Sequence, residues 1–359
     1  MGESRPTKHV IIIGAGPAGL AAAVCLARRN VSYTLLEKGH NVSTALRRVD
    51  PDMVLLSPTN LSLMPEMETT PDEPDYLPFS TLVEKLERYQ HSHDIKVVAD
   101  AGVVAVERRR RGFTVRFRSE DGTEHALEGS HVINATGIIS HPQLPSEFKP
   151  SACTFRWLHS LDVRTSDLIN ARRLLVVGGG PSAVEVFERW LDVRQTDDRG
   201  WLSVRSRVRA IPHWILGIDI HYFVWLPEQL PACLFGWRAG RLNEPMTGRT
   251  VVRAIKKRLI TRMPAIESYQ GDTVTFSNGE RIEPDFVVFA TGFRYASEHL
   301  DQLVAYDPDG RPLVKNCEST LTHGLYLMGF RFGRTFASPY LRGIARDAEY
   351  VAERIAGED

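Results

Sequence analysis

Apolar residues along this chain follow two rhythms: unbroken runs of four or five, and stretches that repeat every three or four positions. Unbroken runs bounded by Gly or Pro suit strands buried on both faces of a parallel sheet, and the longer repeat suits helices packed on it. The first run, His9 to Ile13, enters Gly14-Ala15-Gly16-Pro17-Ala18-Gly19, and an alanine-rich helix is predicted from Pro17 to Arg29, with Asn30 as its stop. Tyr33 to Leu36 predicts the second strand. Phe79 to His91 predicts a helix with Leu82, Val83 and Leu86 on one face, followed by a strand at Ile95 to Val98. Val103 to Glu107, Phe113 to Arg118 and Thr123 to Leu127 read as a β-meander turned at Gly112, Asp121-Gly122 and Gly129, and His131 to Ala135 closes the unit.

The same order then returns. Arg173 to Val177 is a strand, Gly178-Gly179-Gly180-Pro181-Ser182-Ala183 a glycine turn, Val184 to Val193 a helix and Trp201 to Val204 a second strand. A second meander runs through Thr273 to Phe276, an Asn278-Gly279 turn, Arg281-Ile282 and Phe286 to Phe289. Ala135-Thr136-Gly137 follows the last strand of the first unit, and Ala290-Thr291-Gly292-Phe293 follows that of the second. The fold class is therefore α/β, with two nested Rossmann-like dinucleotide-binding domains, each carrying a β-meander insertion. A final strand within Gly324 to Gly329 and a helix from Tyr340 to Ile355 return to the first unit. The expected division is residues 1–150 with 294–359 for one domain and 151–293 for the other, with an apolar helical insertion near 211–262.

Each glycine of such a turn has a physical task. The first (Gly14, Gly178) makes the tight turn, the second (Gly16, Gly180) lets a pyrophosphate approach the backbone, and the third position (Gly19, Ala183) packs helix on strand. Pro17-Ala18 and Pro181-Ser182 open the helices whose N-termini would face the diphosphates. Two dinucleotide sites in one chain suit a flavin and the nicotinamide that delivers hydride to it. Glu37, with Lys38 beside it, ends the second strand where a carboxylate accepts ribose hydroxyls, which assigns FAD to the first site. Val104 in the meander and the Ala135-Thr136-Gly137 turn are counted with the cofactor sites, as are Thr291, Gly292 and Phe293. In the second unit Arg205, Ser206 and Arg207 stand at the corresponding place. Charge-assisted bonds from the arginines suit the extra phosphate of NADPH, while two surface arginines on an edge are the plainer reading.

Some stretches carry no regular rhythm. Gly39 to Pro78 is rich in Pro, Ser, Thr, Asn and Met, with one short strand expected at Met53 to Leu56, and loops of that length are usually functional. Ile211 to Phe235 is the most apolar stretch, yet Asp219, His221, Glu228 and three prolines exclude a bilayer span. Domain packing, a substrate-access wall and contact with one membrane leaflet remain open for it. Arg108 to Arg111 reads as a solvated hairpin turn or a phosphate contact, and Val252 to Arg262 as a solvated helix face.

Lys plus Arg and Asp plus Glu both number 44, so bulk charge argues against nucleic acid as a partner. The four cysteines include no C-x-x-C pair, which speaks against a disulfide framework, a zinc site and an internal redox dithiol, and no metal is expected. The first strand begins at once and leaves no room for a signal peptide, which makes a cytoplasmic location the default expectation.

The two glycine turns, the two Ala-Thr-Gly turns and His159-Ser160 are spaced as in the class B flavin-dependent monooxygenases, which the chain resembles from about Val10 to Ala356. That group includes flavin-containing monooxygenases, plant auxin-pathway monooxygenases and Baeyer–Villiger enzymes. Val204 to Pro212 is especially similar to the plant group. The resemblance implies FAD, NADPH and dioxygen, with one oxygen atom passed to nitrogen, sulfur or a ketone of a small molecule through a C4a-hydroperoxyflavin. It also implies that Asn60, in a Thr59-Asn60 pair, is the catalytic hydrogen-bond donor, with a simple turn residue as the other reading. His159 is read equally as catalytic and as a hydrogen-bonding link between domains. The family signature F-x-G-x-x-x-H is reduced here to Cys153, Phe155 and His159, and the Gly-Gly-x-Trp turn after the acid is replaced by Val42 to Leu46. A reductase of the thioredoxin-reductase type, passing electrons to an external acceptor, is the alternative enzyme, and a flavin-binding sensor the non-enzymatic one. A homodimer is compatible with either enzyme.

Overall fold

The strand His9–Ile13 pairs in parallel with Ser32–Leu36 on one side and His131–Asn134 on the other, and a seven-stranded sheet grows from this centre. The computed structural model describes residues 8–139, 141–205, 210–231, 246–247, 250–295, 297–308 and 310–358. Val97–Val98 extends the sheet at one edge. Leu325–Leu327 returns from the far end of the chain to lie parallel to His131–Asn134, and the short strands Glu318–Ser319 and Val314–Lys315 finish that side. The second sheet is wholly parallel, in the order Ile260–Met263, Arg199–Ser203, Arg173–Val177, Phe286–Phe289, Arg156–His159. Two three-stranded antiparallel meanders stand apart, Gly102–Arg108 with Phe113–Arg118 and Glu124–Gly129, and Ile266–Gln270 with Thr273–Phe276 and Arg281–Ile282.

The helix Pro17–Ala27 has no polar face because it needs none. Every residue from Ala18 to Leu26 is buried, between the sheet and the C-terminal helix Leu341–Gly357. Its small residues let it lie close to the sheet, and Asn30, at φ +55°, turns the chain into the next strand. The C-terminal helix buries one stripe, Ile344, Ala348, Val351, Ala352 and Ile355, against it. On the opposite face of the sheet the first meander packs Phe113, Val115 and Phe117 against Ile11, Ile13 and Val132. In the second domain the helix Pro181–Val193 buries Phe187 and Trp190, and the indole N–H of Trp190 donates to the Ala171 carbonyl at 2.7 Å, which satisfies that ring's one polar atom within the core.

Several local expectations need correction. Met53 to Leu56 is no strand; Val54 makes one isolated bridge to Pro78, and Leu55 N–H donates to Leu77, so the long loop closes on its own end. Val252 to Arg262 is not one helix. The helix ends at Lys256, and Ile260–Met263 joins the second sheet because Ile260 and Met263 are apolar at both ends of a pleat that buries them. The insertion opens with a hairpin, Trp214–Ile215 with Ile218–Asp219, and only then a helix, Ile220–Glu228. Among the described residues no helix is long and apolar enough to cross a membrane.

Candidate active site

Residues of both glycine turns line one cavity of about 1030 Å³, Gly14, Gly16, Pro17 and Ala18 from the first and Pro181 and Ser182 from the second. The turns are built alike. Gly14, at φ +99°, would bring a Cβ to 2.8 Å from the Ala135 carbonyl, and Gly178, at φ +127°, would overlap the Ala290 carbonyl. Each Ala-Thr-Gly turn is thus packed against the first glycine of its own domain, which is why it recurs. A Cβ on Gly19 would overlap the Gly14 carbonyl; the second domain accommodates a methyl there, that of the fully buried Ala183. Gly16 and Gly180 differ from all of these, because a Cβ on either would meet no protein atom within 4 Å. Both cap helices that begin with proline and lack a side-chain cap, so first-turn N–H groups are available to an anion. These open cradles fit pyrophosphates, as FAD and a nicotinamide dinucleotide require.

The two second strands end differently. Ile13 is level with Leu36, and Val177 with Ser203, so Glu37 and Val204 hold matching positions. Glu37 is buried on the cavity wall, and its two oxygens accept the Ala15 N–H at 2.7 Å and the Gly39 N–H at 3.1 Å. Those bonds fix the carboxylate beside the first turn with lone pairs remaining for hydroxyl donors. Lys38, Val104, Ala135, Thr136, Gly137 and Phe293 line the same cavity. At the second site Val204 packs near Gly179, and Arg205 is 80% exposed, 3.6 Å from Glu147 and outside the cavity lining. Ser206 and Arg207 lie outside the described residues.

His159 is buried at the end of its strand and does not line the cavity. Its Nδ1 accepts the Leu161 N–H at 3.2 Å, so Nε2 carries the proton and donates to the Gly292 carbonyl at 3.0 Å. Burial pushes its pKa below the usual histidine value, which suits a neutral ring. The same carbonyl accepts the Gln143 N–H at 2.9 Å, the Thr291 hydroxyl donates to the Gln143 carbonyl, and Phe293–Arg294 pairs antiparallel with His141–Pro142. These bonds hold the end of the His159 strand, the Thr291-Gly292 turn and the Gln143 segment together. Asn60 also lies outside the cavity lining. It is exposed in the short turn Thr59–Leu61, and its Oδ1 accepts the Tyr222 hydroxyl at 3.0 Å. Ser57 and Ser62, whose hydroxyls are 3.0 Å apart, are the residues from that segment that face the cavity.

Sequence rhythm did not reveal the contacts that close the cavity. Tyr76, from the long loop, donates its hydroxyl to Asp219 of the insertion. Glu228, at the end of the insertion helix, lies 2.7 Å from Arg342 of the C-terminal helix, and both line the cavity. His299, another lining residue, lies 3.0 Å from the buried Asn134 carboxamide, and burial lowers its pKa to about 4. One signal was available: Asp219 immediately before an apolar helix is an N-cap pattern. Among the described residues His213, Asp219 and His221 also bring ligand-type atoms within 4.8 Å of one another.

A model of the pyridine nucleotide-disulphide oxidoreductase family matches residues 11–190. A probable indole-3-pyruvate monooxygenase of Arabidopsis thaliana, YUCCA8, is 26% identical over 94% of this chain and 88% of its own length. The structure of a flavin-containing monooxygenase from Stenotrophomonas maltophilia superposes with a TM-score of 0.77 at 20% identity, covering 97% of this chain and 98% of that one. The bacillithiol disulfide reductase Bdr of Bacillus cereus superposes with a TM-score of 0.74 at 18% identity, covering 98% and 99%. At these identities the two structures establish the shared fold.

Proposed function

Because this chain belongs to the pyridine nucleotide-disulphide oxidoreductase family, we propose that it is an FAD- and NADPH-dependent monooxygenase acting on a small molecule. The observation that carries this reading is the convergence of two glycine turns on one cavity whose strand ends differ, Glu37 at one and Val204-Arg205 at the other. Glu37 would hold the ribose of FAD, with Gly16 and Pro17 at its pyrophosphate. Gly180, Pro181 and Ser182 would hold the pyrophosphate of NADPH, and Arg205, now near Glu147, would exchange that partner for the extra phosphate. When bound, the flavin supplies the reactivity toward dioxygen. The chain supplies order and dryness. His159 holds the Thr291-Gly292 turn, and the apolar wall of Met53, Leu55, Leu56, Val224, Phe332 and Phe336 excludes water from the cavity. In this reading Asn60 acts through Tyr222, by holding the insertion against the long loop.

The reductase alternative draws on the likeness to Bdr. Among the described residues Cys25 and Cys317 are buried, Cys153 is partly exposed and none lines the cavity; with no C-x-x-C pair in the sequence, a reductase would need an external acceptor. The experiment that separates the readings compares NADPH consumption with oxygenated product across amines, thioethers, ketones and keto acids. Product formed in step with NADPH supports the monooxygenase; NADPH use that follows an added disulfide or quinone, with no oxygenated product, supports the reductase.

A further inference from the structure

Behind the cavity wall at His221 lies a polar network that no role assigned above uses. Asp219 is 2% exposed and caps the helix Ile220–Glu228. Its Oδ1 accepts both the His221 N–H and the His221 Nδ1–H, each at 2.7 Å. Its Oδ2 accepts the Tyr76 hydroxyl and the His213 Nε2–H, the latter at 2.8 Å. Burial works against the Asp219 charge, but the Tyr76 hydroxyl and the two His221 donors hold its carboxyl below the usual carboxylate range. A carboxylate that accepts from Nδ1 puts the ring proton there and leaves the lone pair on Nε2. Burial, the largest influence on His221, lowers its pKa and favours that neutral ring. Among the described residues Nε2 has no partner, and His221 lines the cavity between Ile220 and Val224. Glu228 and Arg342, which also line the cavity, satisfy each other.

We propose that His221 is a substrate-positioning residue whose Nε2 accepts a hydrogen bond from an N–H or O–H group of the substrate, with Asp219 fixing the tautomer. The inference rests on the monooxygenase reading for the word substrate. An acceptor in an apolar wall is left unpaired when a ligand desolvates it without a donor, so the site discriminates against ligands that lack one. A metal ion is the competing use of the same residues. Ligating imidazoles normally donate their far nitrogen to a second acceptor. Among the described residues neither His213 Nδ1 nor His221 Nε2 has one, which favours the hydrogen-bonded network.

The test uses the FAD-loaded enzyme and two isosteric sulfides, methylthiopropanol and butyl methyl sulfide, which differ only by hydroxyl for methyl. Titration of the oxidised enzyme followed by flavin absorbance reads binding without turnover; KM for NADPH-dependent sulfur oxygenation reads it with turnover. The alcohol is expected to bind about tenfold more tightly, as one hydrogen bond allows. His221→Leu is expected to abolish the gap, and His221→Gln, which keeps an acceptor, to restore part of it. An equal affinity for the two sulfides, or a gap that survives in His221→Leu, overturns the proposal. So does stoichiometric Zn²⁺ raising the melting temperature of the wild type but not of His221→Leu or Asp219→Asn. A gap in binding without oxygenation of either sulfide leaves the acceptor standing and rejects sulfur oxygenation as the reaction.

Discussion

The guanidinium of Arg189, on the helix behind the second glycine turn, lies 2.7 Å from the carboxylate of Asp50 in the long loop of the first domain. Asp50 is buried and the Arg189 side chain is 14% exposed, and the same Asp50 oxygen accepts the Thr165 N–H at 2.7 Å and its hydroxyl at 3.1 Å. Together with the bond from the Gln143 N–H to the Gly292 carbonyl, this ties the segment that carries the first glycine turn to the one that carries the second. Asp50→Ala strands a buried cation and should cost about 3–5 kcal/mol in urea unfolding. Arg48, whose pairing with Asp162 also crosses between the domains, is half exposed, and Arg48→Ala should cost about 0–1 kcal/mol. Equal effects of the two substitutions would remove the clamp from the account.

Gly16 and Gly19 should fail in opposite ways. Gly16→Ala meets no protein atom, so the apo protein should unfold at the wild-type denaturant concentration while FAD binding weakens roughly tenfold or more, about 1.4 kcal/mol. Gly19→Ala collides with the Gly14 backbone and should destabilise the protein itself. Gly180→Ala should weaken NADPH binding and leave FAD retention unchanged. A Gly16→Ala protein that keeps FAD with native affinity would show that the pyrophosphate lies elsewhere.

Acid should weaken the fold through its buried histidines. His299 is shifted from the ordinary 6.5 to about 4 by burial, so between those values the unfolded chain binds the extra proton and the folded one does not. Stability is therefore full above about pH 6.5 and is lost as the pH falls toward about 4, by up to about 3 kcal/mol. His299→Gln should flatten that limb of a stability–pH curve measured by chemical denaturation. An unchanged limb would assign the acid sensitivity to other groups.

Arg205 carries the expected preference for NADPH. It is largely exposed, so its bond to the extra phosphate should be a modest one, and Arg205→Ala should raise KM for NADPH roughly tenfold without changing that for NADH. Equal losses for both nucleotides would deny it that role.

The parts of this fold that were legible in the sequence are those that depend on local chain chemistry. The glycine turns, the buried strands and the repeated Ala-Thr-Gly announce themselves because each needs particular residues within a few positions. The return of Leu325–Leu327 to the first sheet was legible for the same reason: its apolar run has only a sheet interior to occupy. The strand Ile266–Gln270 was not, since only Tyr269 within it is buried and its polar neighbours face solvent. The cavity walls were least legible. Asn60 appeared as a motif, yet its orientation is set by Tyr222, 162 positions away. The Tyr76–Asp219 contact spans 143 positions and belongs to two irregular segments, where no periodicity specifies a neighbour.

The central claim, that both cofactors act in one cavity to move oxygen and not only electrons, is tested most directly by rapid mixing under ¹⁸O₂. The FAD-loaded enzyme is reduced with NADPH, then mixed with labelled oxygen and a thioether. The account predicts faster flavin bleaching by NADPH than by NADH. It also predicts a spectral species distinct from reduced and oxidised flavin, and one labelled oxygen atom in the sulfoxide. Immediate return to oxidised flavin, with hydrogen peroxide and no labelled sulfoxide, would contradict it.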